Sequence, residues 1–257
     1  MRKGRELLKS RRVPQPSLRR EDIMARTLAA EYEKLFKDLG LHAQQGPYAV
    51  LHRLQELVGE RGVDAARLRQ RLNAQLVSET RRIISDLVDN GKPALREKLV
   101  SLSLPAQEVF GERIRMIREL YLDDAVKRIQ GEEDDLKASF LTKLTTWAET
   151  GGELDVADVV GRMQETAVHR ARFFARDQFS KFNRSVMVAS YEEAGAEYLE
   201  WLTSNDVRVR ETHRERNHRI YTQAELLADP EYHSYNCRCG FAPLWNLTDA
   251  QKKRRAA

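Results

Sequence analysis

Residues 105–150 read PAQEVFGERIRMIRELYLDDAVKRIQGEEDDLKASFLTKLTTWAET and predict the longest helix of the chain. Their apolar side chains recur at intervals of three to five positions, as they do along one face of an α-helix. The two stripes consist of Ile114, Ile117, Tyr121, Val126 and Ile129, followed by Leu136, Phe140, Leu144 and Trp147. Between them lies an acidic run at residues 132–135, which is either a break in the helix or a solvated turn of it. Gly151 and Gly152 end the pattern.

The same helical period continues towards both ends of the chain. It predicts helices near residues 20–40, 47–60 and 64–90, and another over residues 155–194 that contains one break at most. Pro93 and Pro105 bracket a less regular piece. Only 13 of the 257 residues are Gly and 7 are Pro, whereas 32% are charged. This composition favours long amphipathic helices over a β-sandwich or barrel, so we expect a mainly α protein.

The pattern changes after Gly195. Residues 197–203 alternate polar and apolar side chains and are rich in aromatic residues, which is typical of a strand. Residues 204–206 predict a turn, and residues 241–245 offer a second short strand. We therefore expect the long amphipathic helices to be followed by a small, loop-rich α+β C-terminal unit. The predicted domains are a basic flexible arm (1–20), a helical domain (21–165), the C-terminal domain (166–246) and a basic tail (247–257).

Both ends of the chain are basic, although the net charge is only +5. Such ends either bind phosphates, with affinity gained from counterion release, or are solvated ends without a partner. The candidate DNA-binding residues are Arg2, Lys3, Arg5, Arg11, Arg12, Lys252, Lys253, Arg254 and Arg255. No stretch is long and apolar enough for a membrane helix, and no signal-peptide core follows the N-terminus. We expect a protein that is made in the cytoplasm and does not enter a membrane.

Three of the six histidines and both cysteines fall within residues 213–239. Imidazole and thiol groups are the ligands that zinc prefers, and a bound ion can replace a missing core in a small unit. In an extended chain, Cys237 and Cys239 point to the same side. The sequence therefore predicts one structural Zn²⁺ held in a closed tetrahedron by His213, His233, Cys237 and Cys239. The alternative is a pair of buried thiols, with His213 held in a polar network.

A polar set precedes these candidate ligands and consists of Asp206, Arg208 and Arg210. If the segment is extended, alternation places all three on one side. Such a cluster can orient the loop through ion pairs, bind phosphate or hold a catalytic group. We favour loop orientation because no glycine-rich phosphate loop or activated nucleophile accompanies the set.

Four motifs in the C-terminal third occur in a characteristic order. They are ARDQFSKFN at 175–183, EAG at 193–195, EWLTSNDVRVRETH at 200–213 and NCRC at 236–239. In this combination the segment resembles the phage Mu F-like head morphogenesis family. The positions that match the family's motif are Asp206, Arg208, Arg210, His213, Cys237 and Cys239. One departure is that relatives often have a glycine turn after the histidine, whereas residues 215–218 here read ERNH.

The resemblance implies a minor head (capsid) protein of a tailed bacteriophage, present in low copy and associated with the portal. Such a protein acts in head morphogenesis, DNA packaging or DNA delivery. Its implied partners are the portal protein, the major capsid protein and packaged double-stranded DNA. Its implied place is inside the head near the portal vertex, after a period in the host cytoplasm during assembly.

Two other hypotheses remain beside this structural, non-enzymatic role. One is a metal-dependent nuclease that uses His213, His218 and His233 together with Asp206. The other is a basic DNA-binding protein without a role in the head, which predicts salt-sensitive binding through the two ends of the chain.

Overall fold

A computed structural model describes residues 18–60, 62–90, 93–204 and 207–256. Six helices come first in the described chain: α1 Leu18–Ala43, α2 Pro47–Leu57, α3 Ala65–Asn90, α4 Pro93–Val100, α5 Leu104–Thr150 and α6 Val156–Glu193. The remaining elements are short: β1 Tyr198–Leu202, α7 Glu211–Glu215, β2 Ile220–Tyr221, α8 Gln223–Ala228, a 3₁₀ helix Pro230–His233, β3 Gly240–Leu244 and α9 Asp249–Ala256. The prediction of a mainly α protein with a small α+β C-terminal part is confirmed.

The long helices are more continuous than the sequence pattern requires. Helix α5 runs unbroken through the acidic residues 132–135, and α6 runs unbroken from Val156 to Glu193. The piece bracketed by Pro93 and Pro105 contains helix α4, which begins at Pro93 itself. Proline is tolerated in the first turn of a helix, where its missing N–H has no partner to lose. Pro93 and Pro105 therefore mark helix starts.

The described chain forms two compact units. The helical unit comprises residues 17–76 and 120–178, and the sheet unit comprises residues 77–119 and 179–257. The unit boundaries fall inside α3, α5 and α6, so each of these helices contributes residues to both units. The domain limits at residues 165 and 246 stay a prediction.

The core of the helical unit is mostly aliphatic, as the leucine periodicity predicts. Its fully buried side chains include Leu28, Leu54, Leu68, Leu72, Leu122, Phe140 and Leu144. Burying a leucine or phenylalanine side chain stabilises a fold by about 1.5–3 kcal/mol, so these stripes account for much of the unit's stability.

The helical unit also contains a buried ion pair. The Glu133 carboxylate accepts hydrogen bonds from the backbone N–H groups of Gly62, at 2.9 Å, and Val63, at 3.0 Å. Lys137 Nζ lies 2.8 Å from Glu133 Oε1 and donates to the carbonyl oxygen of Glu60 at 2.6 Å. The side chains of Glu133 and Lys137 are only 2% and 4% exposed. The pair ties the connection between α2 and α3 to α5.

The acidic run is therefore neither a break nor wholly a solvated turn, because one of its four residues faces inward. Glu132 is partly exposed and pairs with Arg170 at 2.8 Å, and Asp134 and Asp135 are exposed. The close approach also explains the small residue at position 62. A Cβ atom at Gly62 would lie 2.6 Å from Glu133 Oε1, which is inside van der Waals contact.

The sheet unit has a three-stranded antiparallel sheet in the order β2-β1-β3. Its central strand β1 is buried from Leu199 to Leu202. Glu200 lies opposite Ala242 on β3 and Ile220 on β2. Trp201 is fully buried and packs edge-on against Phe241 with 5.2 Å between ring centroids. The predicted strands at 197–203 and 241–245 thus correspond to β1 and β3.

The C-terminal residues, predicted as a basic tail, include helix α9. Arg255 makes two hydrogen bonds of 3.0 Å to the Glu225 carboxylate, and its guanidinium lies 4.9 Å from the centre of the Tyr198 ring. Helix α9 is therefore held against α8 and β1 within the sheet unit. Among the residues that the structure describes, none of the helices has the length and apolar character to span a membrane.

Candidate metal centre

His213, Cys237 and Cys239 converge in the sheet unit. His213 Nδ1 lies 3.3 Å from Cys237 Sγ and 3.2 Å from Cys239 Sγ. The three candidate ligand atoms all lie within 4.8 Å of one another. All three residues are buried, with at most 5% of their surface exposed. One imidazole nitrogen and two sulfurs therefore face a common point that is shielded from solvent.

Contacts between distant parts of the chain bring these residues together. Helix α7 carries His213, and Arg210, at the start of that helix, donates a hydrogen bond of 2.7 Å to the carbonyl oxygen of Tyr235. The Ser180 hydroxyl on α6 donates to the carbonyl oxygen of Cys237 at 2.6 Å. The Trp201 ring packs edge-on against the His213 imidazole, with centroids 5.4 Å apart. The site thus rests on α6, β1 and α7, and not on the short loop alone.

The second nitrogen of His213 contacts a carboxylate. His213 Nε2 lies 2.7 Å from Glu231 Oε2, and the Ser234 hydroxyl donates to the same oxygen. These two contacts lower the pKa of Glu231 to about 2. An ionised carboxylate at this place accepts a hydrogen bond from the Nε2–H group of His213. With Nε2 bonded to Glu231, the ring places Nδ1 beside the two sulfurs.

An ion pair holds the segment that carries Glu231. Asp229 Oδ1 accepts a hydrogen bond from the Glu231 backbone N–H at 2.9 Å. Arg216 Nε donates to Asp229 Oδ2 at 2.8 Å, and its Nη2 reaches Asp229 Oδ1 at 3.2 Å. A bidentate arginine–carboxylate pair fixes geometry as well as charge, so Arg216 positions the turn that supplies Glu231.

The two thiols are in different electrostatic environments. A hydrogen bond with Cys239 and the positive charge of Arg184 lower the pKa of Cys237, although burial opposes this shift. The hydrogen bond with Cys237 and burial raise the pKa of Cys239. Two thiolates in contact repel each other unless a cation lies between them.

The structure brings together three of the four predicted zinc ligands and leaves His233 outside the group. The His233 ring packs against Tyr232, with centroids 4.7 Å apart. Burial and the positive charges of Arg184 and Lys181 lower the pKa of His233. Its position at the end of the 3₁₀ helix turns it towards these residues, while Glu231, two positions earlier, reaches His213.

The polar set that precedes the site is not arranged as the alternation assumed. Residues 207–209 form a turn and are not extended, and Arg210 is the N-cap residue of helix α7. Arg208 and Arg210 are both exposed. Asp206 lies outside the described residues, so its place in a cluster stays a prediction. The hydrogen bond from Arg210 to Tyr235 is consistent with the loop-orienting role that was favoured for this residue.

The candidate DNA-binding residues fall into two groups. Arg2, Lys3, Arg5, Arg11 and Arg12 lie outside the described residues, as do the side chains of Lys253 and Arg254. Lys252 lies 3.4 Å from Asp249, and Arg255 contacts Glu225 and Tyr198. The structure therefore shows intramolecular contacts for the two C-terminal candidates whose side chains it describes.

Sequence reasoning missed Glu231, Trp201 and Arg216 as parts of the site. Arg216 and Asp229 are thirteen residues apart and follow no helical or strand period, so only the folded chain pairs them. The start of the 3₁₀ helix has a local signal, because the Asp229-Pro230 dipeptide favours a turn. That signal locates the turn but does not identify the partner of Glu231.

Comparison with known proteins shows that part of the chain is similar to one protein family. Residues 139–242 match the family described as "Phage Mu protein F like protein". An uncharacterized protein of Haemophilus influenzae is 39% identical over 92 residues, which cover 35% of this chain and 21% of that protein. No solved structure matches the chain. The matched segment contains His213, Cys237 and Cys239, together with the whole of α6. The resemblance to the phage Mu protein F-like family is therefore confirmed over residues 139–242.

Proposed function

We propose that the chain is a minor head protein of a tailed bacteriophage. In this proposal it is present in low copy, is associated with the portal, and acts in head morphogenesis, DNA packaging or DNA delivery. The observation that carries the proposal is the family match over residues 139–242. The family suggests a phage head morphogenesis protein and a structural role. The inferred partners are the portal and major capsid proteins and packaged double-stranded DNA, and the inferred location is the virion.

The surface of α5 supports a contact with another protein. Val109 and Met116 are 62% and 60% exposed, and they lie seven residues apart, two turns along one face of the helix. Met is common at interaction surfaces because its side chain adapts to the partner. We infer that this face of α5 contacts the portal protein of the same phage.

Co-expression with that portal protein tests the inferred association. We expect the tagged portal protein to retain the wild-type chain through gel filtration. The amount of a Val109→Glu/Met116→Glu double variant that the portal protein retains should be at least tenfold lower, because the two charges would have to be buried in the interface. Val207→Glu is the matched control, since Val207 is 90% exposed and lies outside α5.

Equal retention of the double variant and the control would contradict the assignment of this face. Failure of the wild-type chain to bind the portal protein would contradict portal association itself. Circular dichroism of both variants verifies that neither substitution unfolds the helices.

The nuclease alternative needs a group of histidines that share an accessible metal ion. His213 is buried between Glu231 and the two sulfurs, and His218 Nδ1 lies 2.9 Å from Glu200 Oε1. His233 packs on Tyr232. Among the described residues these three histidines form no common ligand group. Plasmid cleavage with added Mg²⁺, Mn²⁺ or Zn²⁺ that is abolished by His213→Ala would favour the nuclease.

The DNA-binding alternative depends on the basic ends of the chain. It requires binding that weakens steeply with salt and is lost when residues 1–20 and 252–257 are deleted. The role in the head is compatible with such binding. The contacts of Arg255 with Glu225 and Tyr198 favour a role for this residue in attaching α9 to the sheet unit.

A further inference from the structure

We propose that His213 Nδ1 and the sulfurs of Cys237 and Cys239 bind one Zn²⁺ ion, with His233 outside the ligand set. Glu231 is the positioning residue for His213. The inference does not depend on the role in the phage head.

The distances between the ligand atoms already approach those of a zinc site. Zinc binds sulfur at about 2.3 Å and imidazole nitrogen at about 2.0–2.1 Å, so a tetrahedron places nitrogen and sulfur roughly 3.6 Å apart. The observed distances from His213 Nδ1 to the sulfurs of Cys237 and Cys239 are 3.3 Å and 3.2 Å. The ligand atoms must therefore move apart by a few tenths of an ångström to admit the ion, and small rotations of the side chains allow this movement.

The contact with Glu231 selects the tautomer that a ligand needs. A histidine ligand usually donates its other ring N–H to a carboxylate, which orients the ring and increases its basicity. Glu231 Oε2 occupies that place, 2.7 Å from Nε2, while Nδ1 faces the sulfurs. A pair of thiols packed for burial alone would not require a carboxylate behind the imidazole, so this contact is the second, independent indication of a metal ligand.

The donor set selects the kind of ion. Two thiolates and an imidazole favour zinc over magnesium, calcium or manganese, which prefer oxygen ligands. A divalent cation would also stabilise the two adjacent sulfurs as thiolates, because its charge offsets the repulsion between them. Within the described part of the chain the group has three members, and His233 is not one of them. This distinguishes the proposal from a closed His₂Cys₂ site.

Cobalt substitution tests the site on the full chain. The purified, reduced protein is titrated with Co²⁺ after removal of bound metal, and the absorption spectrum is recorded. We expect one equivalent of Co²⁺ to produce a sulfur-to-cobalt charge-transfer band together with visible bands of tetrahedral intensity. Excess Zn²⁺ should abolish both. Absence of the charge-transfer band in the wild-type chain would overturn the proposal, whatever the behaviour of the variants.

Three variants test the individual assignments. Cys237→Ser/Cys239→Ser should abolish the charge-transfer band, and a band that persists would contradict the sulfur ligands. Glu231→Gln should weaken Co²⁺ binding by about 10–100-fold while the band is retained, as loss of an orienting carboxylate does at other metal sites. Unchanged affinity would contradict its positioning role. His233→Ala is the matched control and should leave affinity unchanged, whereas a loss of binding would establish a four-ligand site.

Discussion

Replacing Glu133 by Gln is expected to destabilise the helical unit by about 3–5 kcal/mol, which is the cost of removing one partner of a buried ion pair. The substitution leaves the ammonium group of Lys137 buried at 4% exposure, 2.8 Å from a neutral amide. It also replaces one of the carboxylate oxygens that accept from Gly62 and Val63 by an NH₂ group, which cannot accept. Urea unfolding followed by far-UV circular dichroism measures the loss.

The neighbouring residue offers the control. Glu132 pairs with Arg170 at 2.8 Å, but their side chains are 33% and 49% exposed. Exposed pairs of this kind contribute about 0–1 kcal/mol. The urea midpoint of Glu132→Gln should therefore lie close to that of the wild type. A double Glu133→Met/Lys137→Met variant should recover only part of the lost stability, because it removes the unpaired ammonium group but leaves the N–H groups of Gly62 and Val63 without the Glu133 acceptor. Equal unfolding midpoints for Glu133→Gln and Glu132→Gln would contradict the stabilising role of the buried pair between Glu133 and Lys137.

Hydrogen exchange locates the effect. The amides of Gly62 and Val63 are held by Glu133, so their exchange should accelerate in Glu133→Gln before the helices unfold globally. No such acceleration is expected in Glu132→Gln.

The second large effect is expected for Trp201→Ala in the sheet unit. Trp201 is fully buried, and its ring packs against both Phe241 and His213. Truncation of a buried tryptophan costs about 3–5 kcal/mol, and here it also removes the ring that supports the imidazole. We expect the sheet unit to lose most of its protection from hydrogen exchange, measured on β1 and β3.

Trp147→Ala is the matched control for this substitution. Trp147 is only partly exposed, but it lies at the end of α5, where its ring contacts Tyr48 and its N–H bonds to the carbonyl oxygen of Gly152. Its truncation should leave exchange in β1 and β3 unchanged. If Trp201→Ala also left that exchange unchanged, Trp201 would not be the centre of the sheet unit's core.

The helical part could be predicted because its stabilising pattern is local. Leucine and isoleucine stripes repeat with the helical period, and residues such as Leu68, Leu72 and Ile83 are buried accordingly. The inward orientation of Glu133 could not be predicted, because its partners are backbone groups of a loop about seventy residues away. From the sequence alone, an acidic run is expected to be exposed to solvent, because the backbone groups that bind Glu133 cannot be identified without the fold.

The site was predictable in part for the same reason. The spacing of Cys237 and Cys239 places both sulfurs on one side, and this local property holds in the structure. Whether His233 or Glu231 faces His213 depends on the direction of the single 3₁₀ turn that carries both residues. The ion pair between Arg216 and Asp229 holds this turn. No sequence period encodes that direction, so the position of His233 outside the group could not be predicted from the sequence.

Quantitative mass spectrometry of gradient-purified phage particles tests the proposed role most directly. Peptides of this chain are scaled to those of the major capsid protein in particles from the host that produces the phage. We expect a few copies of the chain per particle, retained through the gradient and sensitive to neither washing nor nuclease treatment. Absence from mature particles, or a copy number comparable with that of the major capsid protein, would contradict the proposed role.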